Sequence, residues 1–260
     1  MNWLEAIILG FIQGLTEFFP VSSSGHLEIG KALFGINPQN TLIFTVLVHG
    51  ATVLSTIVVF RKDLWNLARD LFAFQWNDST KYISKILVSM IPVLIVGFFF
   101  LKEVESFFTE NLILVGSMLI LTSVLLASTY LIKKNNRSIN FLDAFIIGLA
   151  QMVAVLPGLS RSGATISTGL LIGNKREEIT KFSFLMVLVP VIGANLKDLM
   201  DSGPIIHENI SVITLAVGFI AAFVAGLIAC KWMIGLVKKG NLIYFSIYCL
   251  VLGVIAIIFG

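Results

Sequence analysis

The chain has 260 residues, 57% of them hydrophobic and only 13% charged, with a mean hydropathy of +0.95 and a net charge of +3. A water-soluble domain carries about 25% charged residues, so there is too little polar surface to cover a soluble globule, and so small a positive balance gives no case for nucleic acid. Lipid cannot satisfy a bare backbone, and the apolar runs are continuous rather than alternating as in transmembrane strands, which leaves an all-α integral membrane protein.

Residues 1–35 come first. They lack a basic leading region, and Glu5, Gln13 and Glu17 interrupt their apolar stretch, so they are not read as a signal peptide. Their middle, 20–26, holds Pro20, three serines, Gly25 and His26, a helix breaker. A span at 42–60 leads to a basic loop, 61–85, with Arg61, Lys62, Arg69, Lys81 and Lys85. Spans at 86–101 and 112–132 flank an acidic loop, 102–111, with Glu103, Glu105 and Glu110. Lys133, Lys134 and Arg137 mark loop 133–140. The stretch 141–173 is broken at 157–163 and ends at Lys175 and Arg176. Spans at 181–196, 211–230 and 241–259 follow, separated by an acidic loop, 197–209 (Asp198, Asp201, Glu208), and a basic one, 231–240 (Lys231, Lys238, Lys239). A span needs about 20 apolar residues.

Lysine and arginine place the basic loops in the cytoplasm and leave the acidic ones outside. On that alternation 141–173 starts and finishes inside, and 1–35 starts and finishes outside. Both therefore enter the membrane and turn back. The expected architecture is six full transmembrane helices plus two re-entrant helical hairpins in a single membrane domain, with both termini outside.

The two hairpin segments resemble each other. Glu5, Ala6, Gly10 and Gln13 match Asp143, Ala144, Gly148 and Gln151, while Ser22, Ser24 and Gly25 match Ser160, Ser162 and Gly163. Each pair is 138 apart (143 − 5, 163 − 25), and Phe44 and Phe182 keep that offset. The prolines miss it by one (157 − 20 = 137), a local slip. One hairpin plus three spans makes a unit, 1–138 and again 139–260. Three is odd, so the second unit is inverted, a design in which broken helices meet near the midplane.

A charge inside the bilayer costs about 2.5–3.5 kcal/mol on insertion scales, so Glu17, His26, His49 and Arg161 stand out. Gln13 and Glu17 share a helix face. Ser22, Ser23, Ser24 and Gly25 open the returning half-helix, and Ser160, Arg161, Ser162 and Gly163 open its counterpart. Such starts offer unpaired N–H groups and a positive dipole end, and a guanidinium fork suits phosphate. The parts describe an anion site at mid-depth. They also suit phosphoryl transfer, with Arg161 neutralising charge, a serine or a water attacking, and Glu17 or His26 taking the proton. His49 is read as a helix–helix hydrogen-bonding residue, Gly50, Gly97, Gly116 and Gly218 as packing glycines, and Cys230 and Cys249 as small apolar residues of the core or lipid face.

The segment QGLTEFFPVSSSGH at 13–26 resembles the glutamate/serine signature of the undecaprenyl pyrophosphate phosphatases, the bacitracin-resistance family, and PGLSRSGAT at 157–165 resembles its second signature. The resemblance spans essentially the whole chain. It implies hydrolysis of the C55 lipid carrier pyrophosphate to the monophosphate and inorganic phosphate, which recycles the carrier for cell-wall synthesis and confers bacitracin resistance. It implies a multi-pass protein of the bacterial cytoplasmic (inner) membrane, with an active site opening to the outer face. Ser23 matches the proposed nucleophile, Arg161 the phosphate-binding arginine, and His26 a histidine of proton transfer or phosphate contact. Gln13 cannot act as a base, which leaves Glu17 as the essential carboxylate. Gln13, Ser22, Ser24, Gly25, Ser160, Ser162, Gly163 and Thr165 are the expected phosphate contacts. The resemblance also implies a divalent cation, Mg2+ or Ca2+, held by Glu17 and substrate oxygens. Some members carry Glu and Gln where this chain has Thr45 and His49, so the resemblance assigns no role to those two. The expected partners are the polyprenyl pyrophosphate, membrane lipid and a second copy of the chain in a homodimer. The alternative is a lipid-phosphate flippase or anion transporter on the same inverted repeat.

Overall fold

The computed structural model describes residues 1–36, 41–73, 75–100, 111–132, 137–201 and 210–260. The acidic residues Glu103, Glu105, Glu110 and Glu208, and the basic Lys133 and Lys134, used above to orient the chain, lie outside the described residues. The described residues are helical throughout, apart from connections and one isolated bridge between Arg137 and Asn174.

Two pairs of short helices frame the site: α1 (Trp3–Phe18) with α2 (Ser23–Leu33), and later α7 (Phe141–Val153) with α8 (Arg161–Leu171). Between the pairs run α3 (Leu42–Val59), α4 (Arg61–Leu71), α5 (Asp78–Phe99) and α6 (Leu112–Ser128), the last continued by a 3-10 turn at Thr129–Leu131. After α8 come α9 (Arg176–Met186), α10 (Leu188–Asp201), α11 (Val212–Lys239) and α12 (Ile243–Phe259). At 1.5 Å per residue the 11-residue α2 and α8 are about 17 Å long, well short of a hydrocarbon core of about 30 Å.

Among the described residues five stretches are long and apolar enough to cross a membrane: Leu42–Val59, Asp78–Phe99, Leu112–Leu131, Arg176–Lys197 and Val212–Lys239. Phe98, Ile220 and Val251, more than half exposed, belong to the apolar outer surface that lipid covers. The expected span 241–259 is α12, at 17 residues shorter than those five. The expected span 181–196 is not one straight helix, because α9 stops at Met186 and α10 begins at Leu188. Pro190 explains the break, since its nitrogen cannot donate to the carbonyl of Met186. The expected span 86–101 starts earlier, at Asp78, where Asn77 caps the helix by accepting from the Thr80 amide at 2.9 Å. Loop 61–85 contains α4, an amphipathic helix with no buried residue and with Trp65 exposed, the pattern of a helix lying in a membrane interface. Beside it the Ser79 hydroxyl and the Arg69 guanidinium hold the Asp70 carboxyl below the usual carboxylate range.

Small residues set the helix contacts. A Cβ on Gly116 would lie 2.6 Å from the Gly253 carbonyl oxygen, and one on Gly253 would lie 2.8 Å from that of Gly116, so α6 and α12 meet backbone to backbone. Gly10 of α1 presses on the Gly218 carbonyl of α11, and Gly148 of α7 on the Ser89 carbonyl of α5. Gly50 and Gly97 are a correction, since a Cβ on either would meet nothing within 4 Å among the described residues; composition does not reveal which way a helical glycine faces. Gly116→Val should therefore cost about 1–3 kcal/mol through overpacking, whereas Gly97→Ala should gain up to about 1 kcal/mol of helix stability. Thermal melts in detergent check both, and a Gly116→Val protein as stable as the wild type would contradict the close contact. Cys230 and Cys249 are both fully buried, so they belong to the core and not the lipid face.

Candidate active site

Glu17 sits in the last turn of α1, and Arg161 is the first residue of α8. Each charge stands at the helix end whose dipole disfavours it. They offset one another, because Arg161 Nη2 donates to Glu17 Oε1 at 2.8 Å across the two breaks. The other carboxylate oxygen, Oε2, accepts from Ser23 Oγ at 2.5 Å and from Gln13 Nε2 at 2.9 Å. The i, i+4 spacing of Gln13 and Glu17 makes the latter bond, and the chain reversal after Phe18 brings Ser23 back onto the carboxylate. Glu17 thus joins a hydroxyl from one tip to a guanidinium from the other.

The tips are built alike. Ser22 caps α2, accepting from the Gly25 amide at 3.3 Å, and Ser160 caps α8, accepting from the Gly163 amide at 3.0 Å. The Ser22–Ser24 and Ser160–Ser162 hydroxyl pairs both lie at 3.3 Å. The backbone reversal is not the same. Ser22 itself takes a left-handed φ of 69°, a conformation that costs a non-glycine residue about 1–3 kcal/mol, whereas the second tip uses Gly158 at 91°. That is the structural counterpart of the one-residue slip between the prolines. Gly25 faces Gly158, 3.4 Å from where its Cβ would be, and Ser162 Oγ donates to the Phe19 carbonyl at 3.4 Å, so the tips touch directly. The Ser160 amide donates to Thr122 on α6 at 3.1 Å, anchoring the second tip.

Of the expected site residues, Gln13, Glu17, Ser23 and Arg161 are bonded together. Ser22, Ser24, Gly25, Ser160 and Gly163 form the two capping turns beside them. Ser162 and Thr165 line a cavity that opens off the Glu17–Arg161 pair. His26 stands apart from this network. Its Nδ1 donates to the Ser22 carbonyl at 2.7 Å, so Nε2 is the accepting nitrogen of the neutral ring, and it receives the Tyr248 hydroxyl of α12 at 2.6 Å. The two rings stack with centroids 5.6 Å apart. His49 is corrected: its Nδ1 bonds the Thr45 carbonyl of its own helix at 2.8 Å, not a second helix.

Sequence reasoning passed over Tyr248, whose contact is 222 residues away, and over Lys31, which is buried against Glu28 at 3.3 Å. Lys31 carried a usable signal, a charge inside a segment read as membrane-embedded. Among the described residues no three metal-ligating side chains converge, and both Glu17 oxygens are engaged, so the described side chains do not by themselves compose a cation site.

Comparison with known proteins shows the family of the chain. The family profile described as "Bacitracin resistance protein BacA" matches residues 6–255. A protein of Parabacteroides distasonis named undecaprenyl-diphosphatase is 56% identical over 260 residues, covering 99% of this chain and 98% of its own. One of Bacteroides fragilis with the same name is 55% identical over 261 residues, at 99% and 98% coverage. A protein of Korarchaeum cryptofilum, again with that name, is 38% identical with 98% of both chains covered. Both signature segments fall inside the matched range, and the chain belongs to the bacitracin resistance protein BacA family.

Proposed function

We propose that this chain hydrolyses undecaprenyl pyrophosphate to undecaprenyl phosphate and inorganic phosphate. The observation that carries the reading is the Glu17 carboxylate held between the Ser23 hydroxyl at 2.5 Å and the Arg161 guanidinium at 2.8 Å. That is a nucleophile, its base and a counter-charge in one chain of bonds. The names of the relatives support hydrolysis over the transporter alternative.

In this mechanism the pyrophosphate takes Arg161 as its ligand, assisted by the free amides of the two serine-capped helix starts. Glu17 Oε2 accepts the Ser23 proton while Oγ attacks the terminal phosphorus, and the lipid monophosphate leaves. Water then cleaves the phosphoseryl bond. Gln13 keeps Glu17 aimed at Ser23. His26, once its Nε2 has exchanged the Tyr248 bond for substrate and taken up a proton, serves proton transfer at the leaving oxygen. Ser22, Ser24, Gly25, Ser160, Ser162, Gly163 and Thr165 shape the phosphate cradle. A divalent cation, Mg2+ or Ca2+, enters this proposal only as an ion carried on the pyrophosphate oxygens beside Glu17, and no step runs through it.

The proposal includes an inverted repeat with two re-entrant hairpins in the cytoplasmic membrane, the site open to the outer face and both termini outside. Paired features support it. Asn2 and Asn140, again 138 apart (140 − 2), each build a capping box, with Glu5 and Asp143 respectively. Helix α1 packs on α11 and α7 on α5, so each hairpin leans on the middle span of the other half, and α6 pairs with α12.

The test is phosphate release from C55 pyrophosphate by the purified protein in detergent. Wild type should release it, and Arg161→Ala should be slower by about a hundredfold, the scale of a lost electrostatic contact. No release by the wild type would overturn the reading, and full activity of Arg161→Ala would remove that residue's role.

A further inference from the structure

The cavity beside the Glu17–Arg161 pair runs between α3, α7, α8, α9 and α10. Thr52, Thr56, Ser162, Thr165 and Ser183 give it hydroxyls, and Phe184, Val187 and Val191 close it with apolar surface. About 30 Å³ of it is open to a sphere the size of water. One water needs about 10–15 Å³ on that measure, so the cavity has room for about two. Gln151 of α7 lines it, only 2% exposed, and neither its Nε2 nor its Oε1 has a hydrogen-bond partner among the described residues. Leaving such an amide unsatisfied costs about 1–3 kcal/mol for each group. Its repeat counterpart, Gln13, spends its amide nitrogen on Glu17. Gln151 has no such neighbour.

We infer that Gln151 is a catalytic residue that holds the reacting water. An anion could satisfy the free amide N–H but not the free carbonyl oxygen, which needs a donor. Water supplies both at once. A water held there sits in the same cavity as the Glu17 carboxylate. Resting on the phosphoserine route proposed above, the step is balanced as follows. The water oxygen bonds to phosphorus, the P–Oγ bond of Ser23 breaks, and one water proton passes through the Glu17 carboxylate to Oγ. Inorganic phosphate and free serine result. Thr165, whose hydroxyl bonds Ser183 at 2.6 Å, completes the polar wall.

The experiment is turnover of C55 pyrophosphate by Gln151→Leu and Gln151→Met in water and in water–methanol mixtures. Both variants keep the bulk of the side chain and remove its polar ends, and a melting temperature establishes that each is folded. A positioned water lost from its hold should lower kcat by about 10- to 100-fold with KM within about twofold. The ratio of inorganic phosphate to methyl phosphate should also fall, because methanol never depended on the amide. Unchanged kcat, a raised KM with kcat intact, or a lowered kcat with an unchanged product ratio would each overturn the assignment. Ser23→Ala, run beside them, isolates the parent reading. If that variant turns over normally the phosphoserine route is wrong, while the product ratio still reports on Gln151.

Discussion

Purified Ser23→Ala should release phosphate at no more than about a thousandth of the wild-type rate, since an activated hydroxyl that forms the covalent bond has no substitute. The structure gives the reason why its neighbours cannot stand in. Ser22 accepts the Gly25 amide as the cap of α2 and shares a 3.3 Å contact with Ser24, whereas Ser23 alone places its hydroxyl on the carboxylate, at 2.5 Å. The loss should not come from unfolding, because deleting one hydroxyl removes a hydrogen bond worth about 1.5–3 kcal/mol to a charged partner. The fold meanwhile keeps the Arg161 link to Glu17. Initial rates and a melting curve on the same preparation separate the two effects. Substantial turnover would point to direct attack by water or by Ser22 or Ser24.

Glu17→Gln should lower phosphate release by at least about a hundredfold, the lower end for a lost general base. Glutamine keeps the shape, and its carbonyl can accept from either Ser23 or Arg161, so the loss reflects the missing charge and not missing bulk. The variant carries a second cost, as Arg161→Ala does by leaving the Glu17 carboxylate unpaired. It leaves a cation at the start of α8 without its counter-ion, and breaking a fully buried pair costs about 3–5 kcal/mol. Here the cost should be smaller, because the Arg161 side chain is 30% exposed. Added inorganic phosphate should therefore stabilise Glu17→Gln more than wild type, since Arg161 is no longer claimed by the carboxylate. Equal phosphate-induced shifts in melting temperature would contradict that.

The parts of this site that were legible in the sequence are those written in local spacing. Gln13 and Glu17 lie four apart on a helix, and the breaks at Pro20 and Pro157 set serines at two helix starts. The cost of a charge in lipid singles out Glu17 and Arg161. What was not legible depends on packing between distant segments. The Tyr248–His26 bond, the orphaned amide of Gln151 and the cavity reaching Ser183 require knowing which helix faces lean together. Gly50 and Gly97 failed as packing glycines for the same reason, while Gly116 and Gly218 are close contacts as expected, and so are Gly10 and Gly148, found as a repeat pair. The helix break after Met186 was readable in principle from Pro190, but the apolar run across it hid it.

The measurement that tests the central claim most directly is the double variant Glu17→Gln with Ser23→Ala, compared with each single variant by kcat/KM for C55 pyrophosphate. Residues that act as one unit do not lose activity twice. A double variant within about threefold of Ser23→Ala is the expected result, and two losses that multiply would show that the carboxylate and the serine work separately, contradicting the bond on which the mechanism stands.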